Sequence, residues 1–269
     1  LADLPPVAIL CGGRGTRLRE RTREIPKPLI EIGGRPIVQH VIELYAAQGF
    51  RRFLLATGYR GELVERFAAA HRWPASVQVR CVDTGRDTPT GGRVKLLADA
   101  PAARDWLSSH AGGGGGDTFC LTYADGLADV DLARLLRFHE THGALATITV
   151  VRPELQFGVA ELGGEDGRVL GFREKPRSEH WINGGFLCLR AGALAYLTPD
   201  CVFEREPLQR LAADDELRAY RHEGFWECMD TYKDAVALND LWVAGAAPWR
   251  ARGWRSPPQA GWPKRGLAP

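Results

Sequence analysis

The sequence predicts an α/β fold built on a mostly parallel, mixed sheet, with helices on both faces and a small antiparallel addition. Two observations predict it. From Val7 to Val151, short apolar runs ending in glycine or aspartate alternate with stretches of helical period. That rhythm gives a parallel sheet covered on both sides, a Rossmann-like arrangement. After Pro153 the rhythm breaks, and apolar runs follow one another with no helix between them.

Taken in order, Val7 to Cys11 is an apolar run closed by glycines and reads as a buried strand. Pro36 to Gln48 carries apolar residues at helical spacing. Phe53 to Thr57 is a second strand, stopped by Gly58. Glu62 to His71 reads as a helix, Val77 to Val82 as a strand and Gly92 to Ala98 as the next helix. Phe119 to Tyr123 is a strand, Asp131 to His142 a helix and Ala146 to Val151 a β-branched strand. Val159 to Leu162, Val169 to Phe172 and Gly185 to Leu189 supply the antiparallel addition. Helices are expected over Glu206 to Ala213 and Asp234 to Ala244. Gly112 to Gly116 is a run of glycines and reads as a flexible loop. From Pro248 onward the chain is rich in Pro, Gly, Trp and Arg without period. One domain over 1–249 and a loosely packed tail over 250–269 are expected, with Trp249, Trp254 and Trp262 able to pack on the body or on a partner subunit.

With 269 residues, 45% hydrophobic and 25% charged, the chain can bury a core without staples. A net charge of +2 gives no support to a nucleic-acid partner. Six cysteines occur and no pair has C-x-x-C spacing, so neither a zinc nor a redox motif is indicated, and buried thiols in a reducing cytoplasm are expected. The run at Val7 to Cys11 is too short for a leader, and no stretch reaches the ~20 apolar residues of a membrane span. His139 and His142 lack a third ligand, and no G-x-S-x-G elbow supports hydrolase chemistry.

The sharpest local signal is Leu10-Cys11-Gly12-Gly13-Arg14-Gly15-Thr16-Arg17, directly after the first strand. Glycines there let backbone N–H groups approach a polyphosphate, and Arg17 adds a fixed cation. It is neither a Walker loop, lacking Lys-Ser or Lys-Thr, nor a dinucleotide fingerprint, since Leu18 stands where the third glycine belongs. Lys27 lies between Pro26 and Pro28, a rigid mount for a phosphate-facing ammonium, although the tripeptide alone fits a surface turn better. Asp125 ends an apolar strand and is placed to hold Mg²⁺, or to serve a turn. Asp230 precedes a helix, where capping is its plainer role and metal ligation the second. Glu174-Lys175-Pro176 repeats the proline-mounted lysine. Asn183-Gly184 fits sugar hydroxyls or a hairpin turn. Thr88 to Arg93 opens a helix whose amides could meet an anion.

In their order along the chain these motifs resemble the nucleotidylyltransferases that activate sugar 1-phosphates. The likeness is greatest to the branch that acts on glucose 1-phosphate with CTP. It rests on Gly12 to Arg17, Pro26 to Gly34, Val82 to Gly85, Thr90 to Arg93, Thr122 to Gly126, Phe157-Gly158, Glu174 to Pro176, Ile182 to Phe186, Gly224 to Thr231 and Ala247 to Trp249. The resemblance implies the fold of nucleotide-diphospho-sugar transferases. It also implies that Arg17 and Lys27 are catalytic, and that Leu10 to Arg17, Lys27, Thr88, Gly92, Arg93 and Ala124 hold the nucleotide. Glu174, Lys175, Asn183 and Gly184 would hold the sugar phosphate, and Asp125 with Asp230 a Mg²⁺ ion. Its partners would be a nucleoside triphosphate, CTP before UTP, dTTP or GTP, and a sugar 1-phosphate, glucose before a heptose. A homo-oligomer is expected, and a catalytically silent regulatory homologue is the rival class. Ala124 stands where the family has glycine, the segment between Tyr59 and Val82 is shorter, and the chain after Trp249 is extra.

Overall fold

The computed structural model describes residues 4–15, 25–101, 103, 105 and 117–250. Strands are β1 (Val7–Leu10), β2 (Glu31–Ile32), β3 (Arg35–Pro36), β4 (Arg52–Thr57), β5 (Gln78–Asp83), β6 (Thr118–Tyr123), β7 (Gly126–Ala128), β8 (Ala146–Val151), β9 (Val159–Gly163), β10 (Arg168–Arg173), β11 (Ile182–Arg190), β12 (Leu217–Arg221) and β13 (Trp226–Cys228). Helices are α1 (Ile37–Ala47), α2 (Gly61–Ala70), α3 (Thr90–Asp99), α4 (Leu132–His142), α5 (Glu206–Ala213) and α6 (Tyr232–Val243).

The main sheet runs in the order β12-β8-β11-β6-β1-β4-β5. β11 pairs antiparallel with both neighbours, and the remaining pairs are parallel. Strand alternation splits the core in two. Val7 and Ile9, Phe53 and Leu55, and Phe186 and Cys188 face the layer that holds α1, α2, α4 and α6. Ala8 and Leu10, Leu54 and Ala56, and Leu187 and Leu189 face the layer that holds α3 and α5. Burial on both faces explains why these strands read as unbroken apolar runs.

From β1 the chain builds outward through β4 and β5, then crosses to the other side of β1 at β6. The carboxyl ends of β1 and β6 therefore flank a topological switch point, where open α/β sheets bind ligands. Met229 N–H donates to the Asp125 carbonyl at 2.9 Å, and β13 pairs antiparallel with β7 through Gly126 and Cys228. This ribbon carries residue 230 back to the end of β6.

Two expectations change. Gly185 to Leu189 belongs to β11 in the main sheet, so the antiparallel addition there is β9 with β10 alone. Asn183-Gly184 is no hairpin turn; it lies inside β11, where the pairing with β8 shifts register. Trp249, at the end of the expected domain, packs on the body: it is 3% exposed and stacks on Phe225 and Trp242. Its large ring gains more from burial than the irregular backbone around it costs. Gly112 to Gly116 and the chain beyond residue 250, including Trp254 and Trp262, lie outside the described residues. Among the described residues no helix is long and apolar enough to cross a membrane.

Candidate active site

A cleft of about 220 Å³ opens at the switch point, lined by Leu10, Cys11, Gly12 and Gly13 after β1, Lys27 and Pro28, Thr88 to Thr90 with Arg93, and Tyr123 to Asp125. Thr16 and Arg17 lie outside the described residues.

At one end, Lys27 meets two carboxylates. Its Nζ is 2.5 Å from Asp125 Oδ2 and 2.6 Å from Asp230 Oδ1. The backbone mount is a 3₁₀ turn over Lys27–Leu29, with Pro26 extended ahead of it. Burial favours loss of the Lys27 proton, but the Asp125 charge and hydrogen bonds to both aspartates outweigh it and hold the ammonium above its usual range. Asp230 is not the helix cap. Thr231 caps α6, and Asp234 completes a capping box by accepting from the N–H groups of Asp230 and Thr231.

Asp125, Cys228 and Asp230 offer ligand atoms within 4.8 Å of one another, a grouping able to hold a metal ion. The carboxylates already share one cationic nitrogen, so the pair fits a hard divalent ion. Burial, then the Asp125 charge, pushes the Cys228 thiol up, which leaves it protonated and a poor ligand.

At the other end, Arg93 is 4% exposed and lines the cleft. Its donors reach the carbonyls of Thr57, Gly85, Gly12 and Arg86 and the Thr84 hydroxyl, at 2.7 to 3.2 Å. The guanidinium thus fastens the glycine loop to the turn after β5. A Cβ at Gly12 would lie 2.1 Å from Arg93 Cζ, whereas one at Gly13 would meet nothing within 4 Å. Gly12 makes room for arginine, and Gly13 is the glycine open to a ligand. Arg14 reaches outward to Asp87 at 2.5 Å. Gly92 turns away from the cleft, with its N–H donating to the Cys201 carbonyl.

Between the two ends stands Tyr123, which sequence reasoning passed over. Its hydroxyl donates to Glu204, whose other oxygen accepts from Thr90 at 2.6 Å, while Thr90 accepts from Phe203 N–H. A lone glutamate in a loop gave no signal of this. Asn183 also hydrogen-bonds Tyr123, and its Oδ1 accepts from Gly185 N–H at 2.9 Å. Gly185 takes φ +80, and a Cβ there would press on the Tyr123 ring at 2.8 Å. The Gly184 carbonyl accepts from the Trp226 indole at 2.7 Å. Glu174 and Lys175 stand apart, half or more exposed on the loop after β10, with Nζ 3.8 Å from the Glu174 carboxylate.

Residues 7–230 match the model of the nucleotidyl transferase family. The chain is 39% identical to a probable glucose-1-phosphate cytidylyltransferase of Bacillus subtilis, over 90% of this chain and 98% of that protein. It is 36% identical to the glucose-1-phosphate cytidylyltransferase of Salmonella typhi, over 90% and 97%. Among solved structures, HddC from Yersinia pseudotuberculosis shares the fold at a TM-score of 0.64 and 20% identity, over 89% of this chain and all of that one. With a family match over most of the chain and relatives that align over nearly their full length, this protein belongs to the nucleotidyl transferase family.

Proposed function

We propose that this enzyme transfers a cytidylyl group from CTP to glucose 1-phosphate, giving CDP-glucose and pyrophosphate. The observation that carries the proposal is the meeting of Lys27 with Asp125 and Asp230 at one end of a cleft whose wall is the glycine loop. The cytidylyl and glucose assignments rest on the two relatives named for that reaction.

A sugar phosphate has a second pKa of about 6, so it is largely dianionic at neutral pH and needs no general base. One of its oxygens attacks the α-phosphorus of CTP in line. A new P–O bond forms, the bond to the bridging oxygen breaks, and pyrophosphate leaves with that electron pair. The obstacle is repulsion between two anions, and catalysis consists of positioning and charge. Mg²⁺ held by Asp125 and Asp230 would supply countercharge to the triphosphate. Gly13 N–H, Lys27 and Arg17 would bind the phosphates, with Thr88 at the nucleotide end. Arg93 would hold the loop in shape rather than touch the ligand. Lys175 would take the acceptor phosphate and Asn183 the sugar. Residues 1–249 would carry the reaction, with 250–269 an appendage, in a homo-oligomer. The six cysteines are free, and the sulfurs of Cys120 and Cys188 lie 4.0 Å apart without a bond, which suits a reducing cytoplasm.

The test is pyrophosphate release from CTP, UTP, dTTP, GTP and ATP, each against glucose, mannose and heptose 1-phosphates. CTP with glucose 1-phosphate is expected to exceed every other pair at least tenfold in kcat/KM. A preference for another pair would overturn the assignment, and silence with all of them would overturn the enzyme.

A further inference from the structure

Lys27 already holds one oxygen of each carboxylate that would ligate a divalent ion. Its Nζ lies within 2.6 Å of one oxygen on each aspartate, in a setting where the lysine side chain is 13% exposed. Mg²⁺ takes oxygen ligands at ~2.0–2.1 Å, so an ion on the same two oxygens would lie within about 5 Å of the ammonium. Two cations that close repel one another in this partly buried site. The lysine has somewhere else to go. Its backbone is fixed by the prolines on either side, and its four-carbon arm lines the same cleft as Gly12 and Gly13. A turn about the side-chain bonds would carry the ammonium from the carboxylates toward that loop with no backbone movement.

We propose that Lys27 and the divalent ion exchange on the Asp125–Asp230 pair: the ammonium holds both carboxylates until metal and nucleotide arrive together, then moves to the phosphates. This rests on the reading of the cleft as a metal-dependent nucleotide site. It adds an order to that reading. Metal alone binds poorly because it must evict a cation already hydrogen-bonded to its ligands. Nucleotide removes the penalty by offering Lys27 a new anion. Metal and nucleotide thereby strengthen each other's binding, and the two aspartates never face one another without a countercharge.

Metal binding is read by the free Mn²⁺ electron paramagnetic resonance signal, with and without a non-reacting α,β-methylene analogue of CTP, on the full chain and on Lys27→Met. The full chain is expected to bind Mn²⁺ at least tenfold more tightly with the analogue than without. In Lys27→Met, Mn²⁺ alone binds about tenfold more tightly than in the full chain, and the gain from the analogue shrinks by a similar factor. A lysine that acts only as a fixed nearby charge would shift both affinities equally and leave the gain unchanged, which would overturn the exchange. A second measurement needs no variant. The chain has five lysines, so the ¹³Cε signal of Lys27 is separable in a lysine-labelled sample. Mg²⁺ alone, added to saturation, is expected to move that signal. Saturation with the signal unmoved would overturn the proposal. An analogue that fails to bind the full chain would instead reject the nucleotide assignment, and the metal-only arms would still decide the exchange.

Discussion

The Arg93 guanidinium fills the volume that a side chain at Gly12 would need, since a Cβ there would stand 2.1 Å from Arg93 Cζ. The glycine loop is therefore shaped from behind by a buried cation, hydrogen-bonded to four carbonyls and one hydroxyl. Gly12→Ala is expected to displace the arginine and raise the KM for nucleotide at least tenfold. Arg93→Met removes all five of these hydrogen bonds, leaves the Gly85 and Arg86 carbonyls without the arginine donor, and is expected to cost roughly 2–4 kcal/mol in urea unfolding. Gly13→Ala, with open space beyond it, is expected to leave stability within about 0.5 kcal/mol while still impairing nucleotide binding.

Asp125→Asn and Asp230→Asn each remove one of the two carboxylates at Lys27. Each is expected to lower kcat at least a hundredfold, with far-UV circular dichroism unchanged. Near-normal turnover by either would remove the metal assignment.

Chelation is expected to abolish turnover, and Mg²⁺ or Mn²⁺ to restore it. Cys228 lies beside both aspartates, but burial keeps its thiol protonated. Cys228→Ser is therefore expected to keep turnover within threefold and leave the Mg²⁺ requirement unchanged in a metal titration.

Acid should destabilise the fold through two histidines. Burial lowers His40 and His139 to about 4, against about 6.5 in an unfolded chain. His40 sits between the Ile32 carbonyl at 2.8 Å and the Trp249 indole at 3.5 Å, an arrangement that suits a neutral ring. Because both folded values are depressed, their contribution is complete above about pH 6.5 and drains away as pH falls toward 4. Each ring is expected to cost up to tenfold in the folding equilibrium per pH unit in that window. Urea unfolding at stepped pH should show it, and His139→Gln should flatten the slope by one proton.

Trp249→Ala removes a stacked, buried ring and is expected to cost about 3–5 kcal/mol. Ending the chain after residue 250 is expected to leave turnover within twofold, in line with the proposed division.

Much of this architecture was legible in the sequence, for identifiable reasons. β1, β4 and β6 are buried on both faces, so their apolar runs stand out, and the glycines and aspartate at their ends mark the ligand-binding edge of the sheet. The ribbon of β7 and β13 was invisible because each strand has three residues and no period can show in so few. β12 was missed as a charged edge strand, with arginines in Leu217–Arg221. Several of the glycines also serve the protein's own packing. Gly12 admits a side chain, Gly92 bonds to a neighbouring loop and Gly185 shapes a strand around Tyr123. A glycine pattern announces close approach but not the identity of the visitor.

The ribbon also governs timing during synthesis. A ribosome that has released the chain only as far as β12 has already made the glycine loop, Lys27, Arg93 and Asp125, yet the strand that delivers Asp230 is still inside the exit tunnel. An unfinished chain therefore holds Lys27 against one carboxylate only, and the second partner arrives once β13 has emerged.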